Sequence, residues 1–159
     1  MSKPVLVIGY GNPSRGDDSL GPLTLDFIQR ELNITNIELI TDFQLQIEHA
    51  LDLQDRELVL FIDASMNCGA AFDFAEIKTA KDHSYSTHAM SPAAVLSVYQ
   101  SITNNLPPAS FLLSIQGLNF ELGEALSKPA TANLQQACQF VQQLLLQANI
   151  DVWKQKLNS

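Results

Sequence analysis

Short apolar runs alternate with amphipathic stretches along this chain, and that alternation constrains the fold more than any single motif. "VLVIG" at 5–9 is a buried-type run ending in glycine and predicts a first strand. "LGPLTLDFIQREL" at 20–32 follows with Leu23, Leu25, Phe27, Ile28 and Leu32 on one helical face, and Pro22 suits the first turn. "IELIT" at 37–41 predicts a second strand. "QLQIEHALDL" at 44–53 places Leu45, Ile47, Ala50 and Leu51 mostly on one helical side. "ELVLFIDAS" at 57–65 has a hydrophobic run, Leu58 to Ile62, bounded by Asp63, and reads as a central strand buried on both faces. The alternation in "AFDFAEIKTA" at 71–80 suggests a strand near a sheet edge. "SPAAVLSVYQSI" at 91–102 opens with Ser91 as an N-cap and Pro92 at the first helical position. "SFLLSIQG" at 110–117 predicts another strand. The stretch at 131–150 predicts a long helix with Leu134, Ala137, Cys138, Val141, Leu144 and Leu145 as its core stripe. Strands alternating with helices predict an α/β fold with a largely parallel sheet covered on both sides.

The length of 159 residues suits one domain spanning 1–159. Hydrophobic residues at 46% and charged residues at 16% describe an ordered globule. A formal net charge of −8 disfavours nucleic acid and anionic membrane as partners. No apolar run approaches the roughly 20 residues that span a bilayer. The opening "MSKPVLVIGYGNP" enters a strand at once, so no signal peptide is expected. Cys68 and Cys138 match no zinc spacing, and a reducing cytoplasm is the expected compartment.

The loop "GYGNPSRGDDSLGP" at 9–22 begins like a dinucleotide-binding turn and ends in acids. Gly9 and Gly11 fit the glycine fingerprint, and Asp42 after the second strand mimics the ribose-binding acid. Position 14 is serine, however, Pro13 lacks a backbone donor, and Asp17 and Asp18 would repel a pyrophosphate. Asn12, Asp17 and Asp18 are also ordinary turn and cap residue types.

Asp63 changes the balance. It sits at the carboxyl end of a central strand, where open α/β sheets bind ligands, and it faces the 9–18 loop if the first and third strands are neighbours. A carboxylate buried there needs a partner or a cation. His88, in "SYSTHAMSP", lies three residues before the Ser91 cap, on the kind of loop where function concentrates. His83 lacks such an anchor, and His49 beside Glu48 reads as a solvated surface residue. Two carboxylates and a neutral imidazole form an oxygen–nitrogen set suited to a borderline divalent metal with open positions. Cys138 reads as packing, and Cys68 has no visible activating partner.

Five segments in order resemble the hydrogenase maturation proteases, which trim the C-terminal extension from the large subunit of nickel–iron hydrogenases. They are "GYGNPSRGDDSLGP" at 9–22, "DFQLQIEHALDL" at 42–53, "LVLFIDAS" at 58–65, "STHAMSP" at 86–92 and "SIQGLNFELGEALS" at 114–127. The first is the most specific, a Gly-x-Gly-Asn loop ending in paired acids and a later glycine. The resemblance implies a three-layer α/β/α sandwich with a mostly parallel twisted sheet of about five strands. It also implies an acid–acid–histidine triad that contacts metal and carries out processing, and it carries those roles onto Asp18, Asp63 and His88. Where the residues alone do not separate Asp17 from Asp18, the resemblance selects Asp18. Asn12 and Asp17 are expected in support, and Gln44 and Glu48 near a substrate groove. Ser19 departs from the family's usual glycine. The metal implied is nickel, supplied by the hydrogenase large-subunit precursor, with no organic cofactor. The rival expectations are a nucleotide-binding Rossmann-like module using Gly9, Gly11 and Asp42, and a nickel-binding carrier without peptidase activity.

Overall fold

A computed structural model describes residues 2–79 and 90–158. Five strands, β1 (Val5–Tyr10), β2 (Ile37–Asp42), β3 (Leu58–Ser65), β4 (Phe72–Ile77) and β5 (Ala109–Gln116), form one sheet in the order β2-β1-β3-β5-β4. All pairings are parallel except that between β4 and β5. Among the described residues the α-helices are α1 (Leu20–Glu31), α2 (Pro92–Thr103), α3 (Lys128–Leu146) and α4 (Ile150–Gln155).

Side chains alternate across the pleat and build two cores. Val5 and Val7 of β1 and Leu58, Leu60 and Ile62 of β3 pack under α1, α3 and α4. Leu6, Ile8 and Tyr10, with Val59 and Phe61, pack under α2 and the 3₁₀ stretch Ile47–Leu53. The three-layer α/β/α expectation is borne out, with β4 as an antiparallel edge strand.

Three expectations need correction. The 44–53 stretch is a 3₁₀ helix over Ile47–Leu53. At about three residues per turn it turns Ala50 and Leu53 inward and leaves Ile47 and Leu51 exposed, while Leu45, ahead of the helix, is buried. His49 is buried rather than solvated. The long C-terminal helix stops at Leu146, and Asn149 caps the separate α4 by accepting from the Asp151 and Val152 N–H groups. α4 inserts Trp153, fully buried, edge-on against Phe111 at 5.4 Å, with its indole N–H donating to the Leu144 carbonyl at 2.8 Å.

The chain reverses direction at β1. It passes from β1 to β2 on one side and returns to β3 on the other, which makes the carboxyl ends of β1 and β3 the switch point of the sheet. α1 starts hard against those ends. A Cβ added at Gly21 would meet the Tyr10 carbonyl oxygen at 2.6 Å and that of Ile62 at 2.8 Å. The obstacles are backbone atoms of two central strands and cannot turn aside. Gly21→Ala is therefore expected to destabilise the protein by about 1–3 kcal/mol, read as a lower urea midpoint. An unchanged midpoint would show that α1 has room to move.

Candidate functional site at the sheet switch point

The loop between β1 and α1 closes on itself. Gly11 adopts φ +145°, and a Cβ there would strike the Asp18 carbonyl oxygen. The Asn12 N–H donates to Asp18 Oδ2 at 2.7 Å, and the Asn12 side-chain oxygen accepts the Ser14 N–H at 2.9 Å. Asn12 thus supports Asp18 through its backbone and shapes the turn with its side chain. Ser19 Oγ donates to the Gly16 carbonyl at 2.8 Å, so the hydroxyl tightens the 3₁₀ turn Gly16–Ser19 that carries both acids.

Asp17 and Asp18 face different surroundings, because successive residues of a 3₁₀ turn point about a third of a revolution apart. Asp17 is fully buried. Its carboxylate accepts the N–H groups of Leu118, Asn119 and Ser127 and the Ser127 hydroxyl, at 2.7 to 3.0 Å. Burial opposes ionisation, but these hydrogen bonds outweigh it and hold Asp17 below the usual carboxylate range. Asp17 thereby ties the 118–127 segment and the start of α3 to the turn that presents Asp18. Asp18, only partly buried, lines an open cleft of about 500 Å³ together with Asn12, Arg15, Asp42, Gln44 and Gln46. Glu48 is exposed and does not line it.

Asp63 stands at the switch point. The β1–β3 register runs to Gly9 opposite Ile62, and one step on, Tyr10 and Asp63 share the α2 face of the sheet. Burial is the main cause that pushes the Asp63 carboxyl up to about 7; the negative charge of Asp18 adds to it, while the Ala64 N–H and the Tyr10 hydroxyl hold it back. Burial and the Asp63 charge in turn raise the Tyr10 phenol above its ordinary value. The structure thus brings Asp18 and Asp63 into electrostatic contact across 45 residues of sequence. No group of three His, Cys, Asp or Glu able to hold a metal occurs among the described residues. His88 and His83 lie outside the described residues. Ser91 does cap α2, accepting the Ala94 N–H at 3.1 Å. Five residues separate the end of α2 from the start of β5, so a helix running back along the sheet starts at the edge that carries Asp18 and Asp63.

A phosphate cradle does not fit this loop. Every backbone N–H from Gly11 to Asp18 already has a partner within the protein, apart from Pro13, which has none to offer. Asp42 accepts the Phe43 N–H and stands 3.4 Å from the His49 ring. Both cysteines are buried and unpaired, and burial pushes the Cys138 thiol up to about 11, which suits packing rather than nucleophilic chemistry.

No family model and no curated protein matches the chain. Solved structures do. The chain has the fold of the hydrogenase maturation proteases. It superposes on the hydrogenase maturating endopeptidase HybD from E. coli with a TM-score of 0.71 and 20% identity, covering 94% of each chain. The [NiFe] hydrogenase maturation protease HycI from Thermococcus kodakarensis gives 0.65 and 22%, covering 90% of this chain and 92% of its own. The hydrogenase 2 maturation peptidase from Thaumarchaeota archaeon SCGC_AB-539-E09 also gives 0.65 and 22%, covering 90% and 98%. The resemblance read from the five segments is borne out at the level of fold.

Two outcomes follow from these carboxyls. A raised pKa means that the neutral form of Asp63 favours folding: its contribution is full below the unfolded value of 3.8 and is lost as pH rises through about 7. Stability of the metal-free protein is expected to decline across that window, and Asp63→Asn to flatten the decline; identical profiles would contradict the assignment. Asp17→Ala is expected to cost about 3 kcal/mol and to speed amide exchange at 118–127, because buried donors lose their acceptor. Unchanged exchange there would remove Asp17 as the anchor.

Proposed function

We propose that this chain is an endopeptidase that removes the C-terminal extension of a nickel–iron hydrogenase large-subunit precursor after nickel insertion, and that it recognises the bound nickel. The observation that carries this reading is the electrostatically coupled pair Asp18 and Asp63 at the switch point of a fold shared, over nine-tenths of the chain, with maturation endopeptidases. A buried carboxyl opposed by a second carboxylate is stabilised by a cation, and the donor types suit a borderline divalent ion. His88, three residues before the α2 cap, is the third donor of the proposed triad.

The cleft supports a peptide substrate. Asn12, Gln44 and Gln46 on its wall offer amide donors and acceptors that match a peptide backbone. Nickel belongs to the substrate in this scheme and serves as the point of docking. Holding the precursor through it fixes the scissile bond beside the carboxylates and makes attack effectively intramolecular. Asn12 holds Asp18, and Asp17 holds the turn that presents Asp18. In this reading the enzyme works in the cytoplasm, where its two unpaired cysteines stay reduced, and acts on a protein partner.

Incubation with nickel-loaded precursor, followed by mass measurement, tests the reading. Loss of the extension is expected, with none from nickel-free precursor. Asp63→Asn and His88→Ala are each expected to stop cleavage while leaving the circular dichroism spectrum intact. Efficient trimming by both variants would remove the triad, and trimming without nickel would remove the recognition signal.

A further inference from the structure

Asp42 ends β2 and lies on the wall of the cleft that Asp18 also lines. Its Oδ1 accepts the Phe43 N–H at 2.7 Å, and its Oδ2 stands 3.4 Å from His49 Nε2. The His49 ring is only 5% exposed, a rare setting for an imidazole unless both nitrogens have a purpose. Its Nδ1 accepts the Gln46 N–H at 2.8 Å, which leaves Nε2 as the protonated nitrogen, within ion-pair distance of Asp42 but not hydrogen-bonded to it. Main chain therefore fixes one side of the ring, and the other side addresses a carboxylate exposed to the cleft. Asp52 also feels the His49 ring, and beyond it Arg56 is held by Glu38 at 2.7 Å. Asp42 is the carboxylate within ion-pair distance of Nε2.

We propose that His49 is a positioning residue for substrate binding: it holds the Asp42 carboxylate towards the cleft, where Asp42 receives a cationic or N–H group of the precursor's docking segment. This rests on the peptidase reading above and adds a contact that the Asp18, Asp63 and His88 triad does not include. The neighbours suit such a segment. Gln44 and Gln46 offer amides, and the Phe43 ring, 64% exposed, supplies an apolar contact at the rim.

The test is steady-state processing of nickel-loaded large-subunit precursor, with precursor binding measured in parallel. Asp42→Asn is expected to raise KM roughly tenfold with kcat little changed. His49→Asn keeps an acceptor for the Gln46 N–H but removes the group facing Asp42, and is expected to raise KM similarly. His49→Gln, whose amide reaches further, is expected to restore most of the affinity. The double variant H49N/D42N is expected to be no worse than D42N alone, because both changes remove the same contact. The urea midpoint of each variant separates lost packing from lost positioning, and D42N reads the KM effect without disturbing the buried ring. Wild-type KM in D42N, an effect confined to kcat, or effects of H49N and D42N that multiply would overturn the inference while the peptidase reading stands. A wild-type chain that neither binds nor cuts the nickel-loaded precursor would overturn that reading, and the inference with it.

Discussion

The close approach of α1 to the sheet sets the position of everything at the switch point. Gly9 and Gly21 are the residues that permit it. A Cβ at Gly9 would fall 2.5 Å from Leu25 Cδ1 and 2.8 Å from the Gly21 carbonyl, and one at Gly21 would meet the carbonyls of Tyr10 and Ile62. Without side chains there, the first turn of α1 seats directly on the ends of β1 and β3. The 3₁₀ turn before it then has nowhere to lie except over those ends, beside Asp63. The paired glycines that look like a nucleotide fingerprint in sequence serve instead to bring acids to a strand end.

Once seated, the turn divides its two carboxylates. Asp17 is consumed by four hydrogen bonds to the 118–127 segment and becomes structural, its charge stabilised by donors from a distant part of the chain. Asp18 is left facing the cleft, and its charge acts with burial to raise the carboxyl of Asp63. Like charges held together by the fold oppose ionisation until a positive ion arrives. The electrostatics therefore explain why acids occupy a place where many α/β proteins present N–H groups to an anion.

Much of this was legible in the sequence because it depends on short-range periodicity. Continuous apolar runs marked β1 correctly as a buried strand and β3 as one buried on both faces, and Ser91 and Pro92 marked the start of α2. What escaped depends on geometry that periodicity does not encode. His49 looked solvated because a 3.6-residue period was assumed for a segment that turns every three residues; the spacing of Ala50 and Leu53 was the available sign. α4 escaped because the apolar periodicity of α3 continues towards residue 150, although Asn149 before Ile150 is a capping signal and Trp153 an obvious core residue. The division of labour between Asp17 and Asp18 could not be read from adjacent letters, since the donors that claim Asp17 lie a hundred residues away.

The claim on which the function turns is that Asp18 and Asp63 together meet a nickel ion carried by another protein. X-ray absorption at the nickel edge, on the complex of this chain with nickel-loaded precursor, tests it most directly. The nickel is expected to gain oxygen neighbours on complex formation and to lose them in the Asp18→Asn and Asp63→Asn variants. A nickel spectrum that is the same with and without this chain would contradict it.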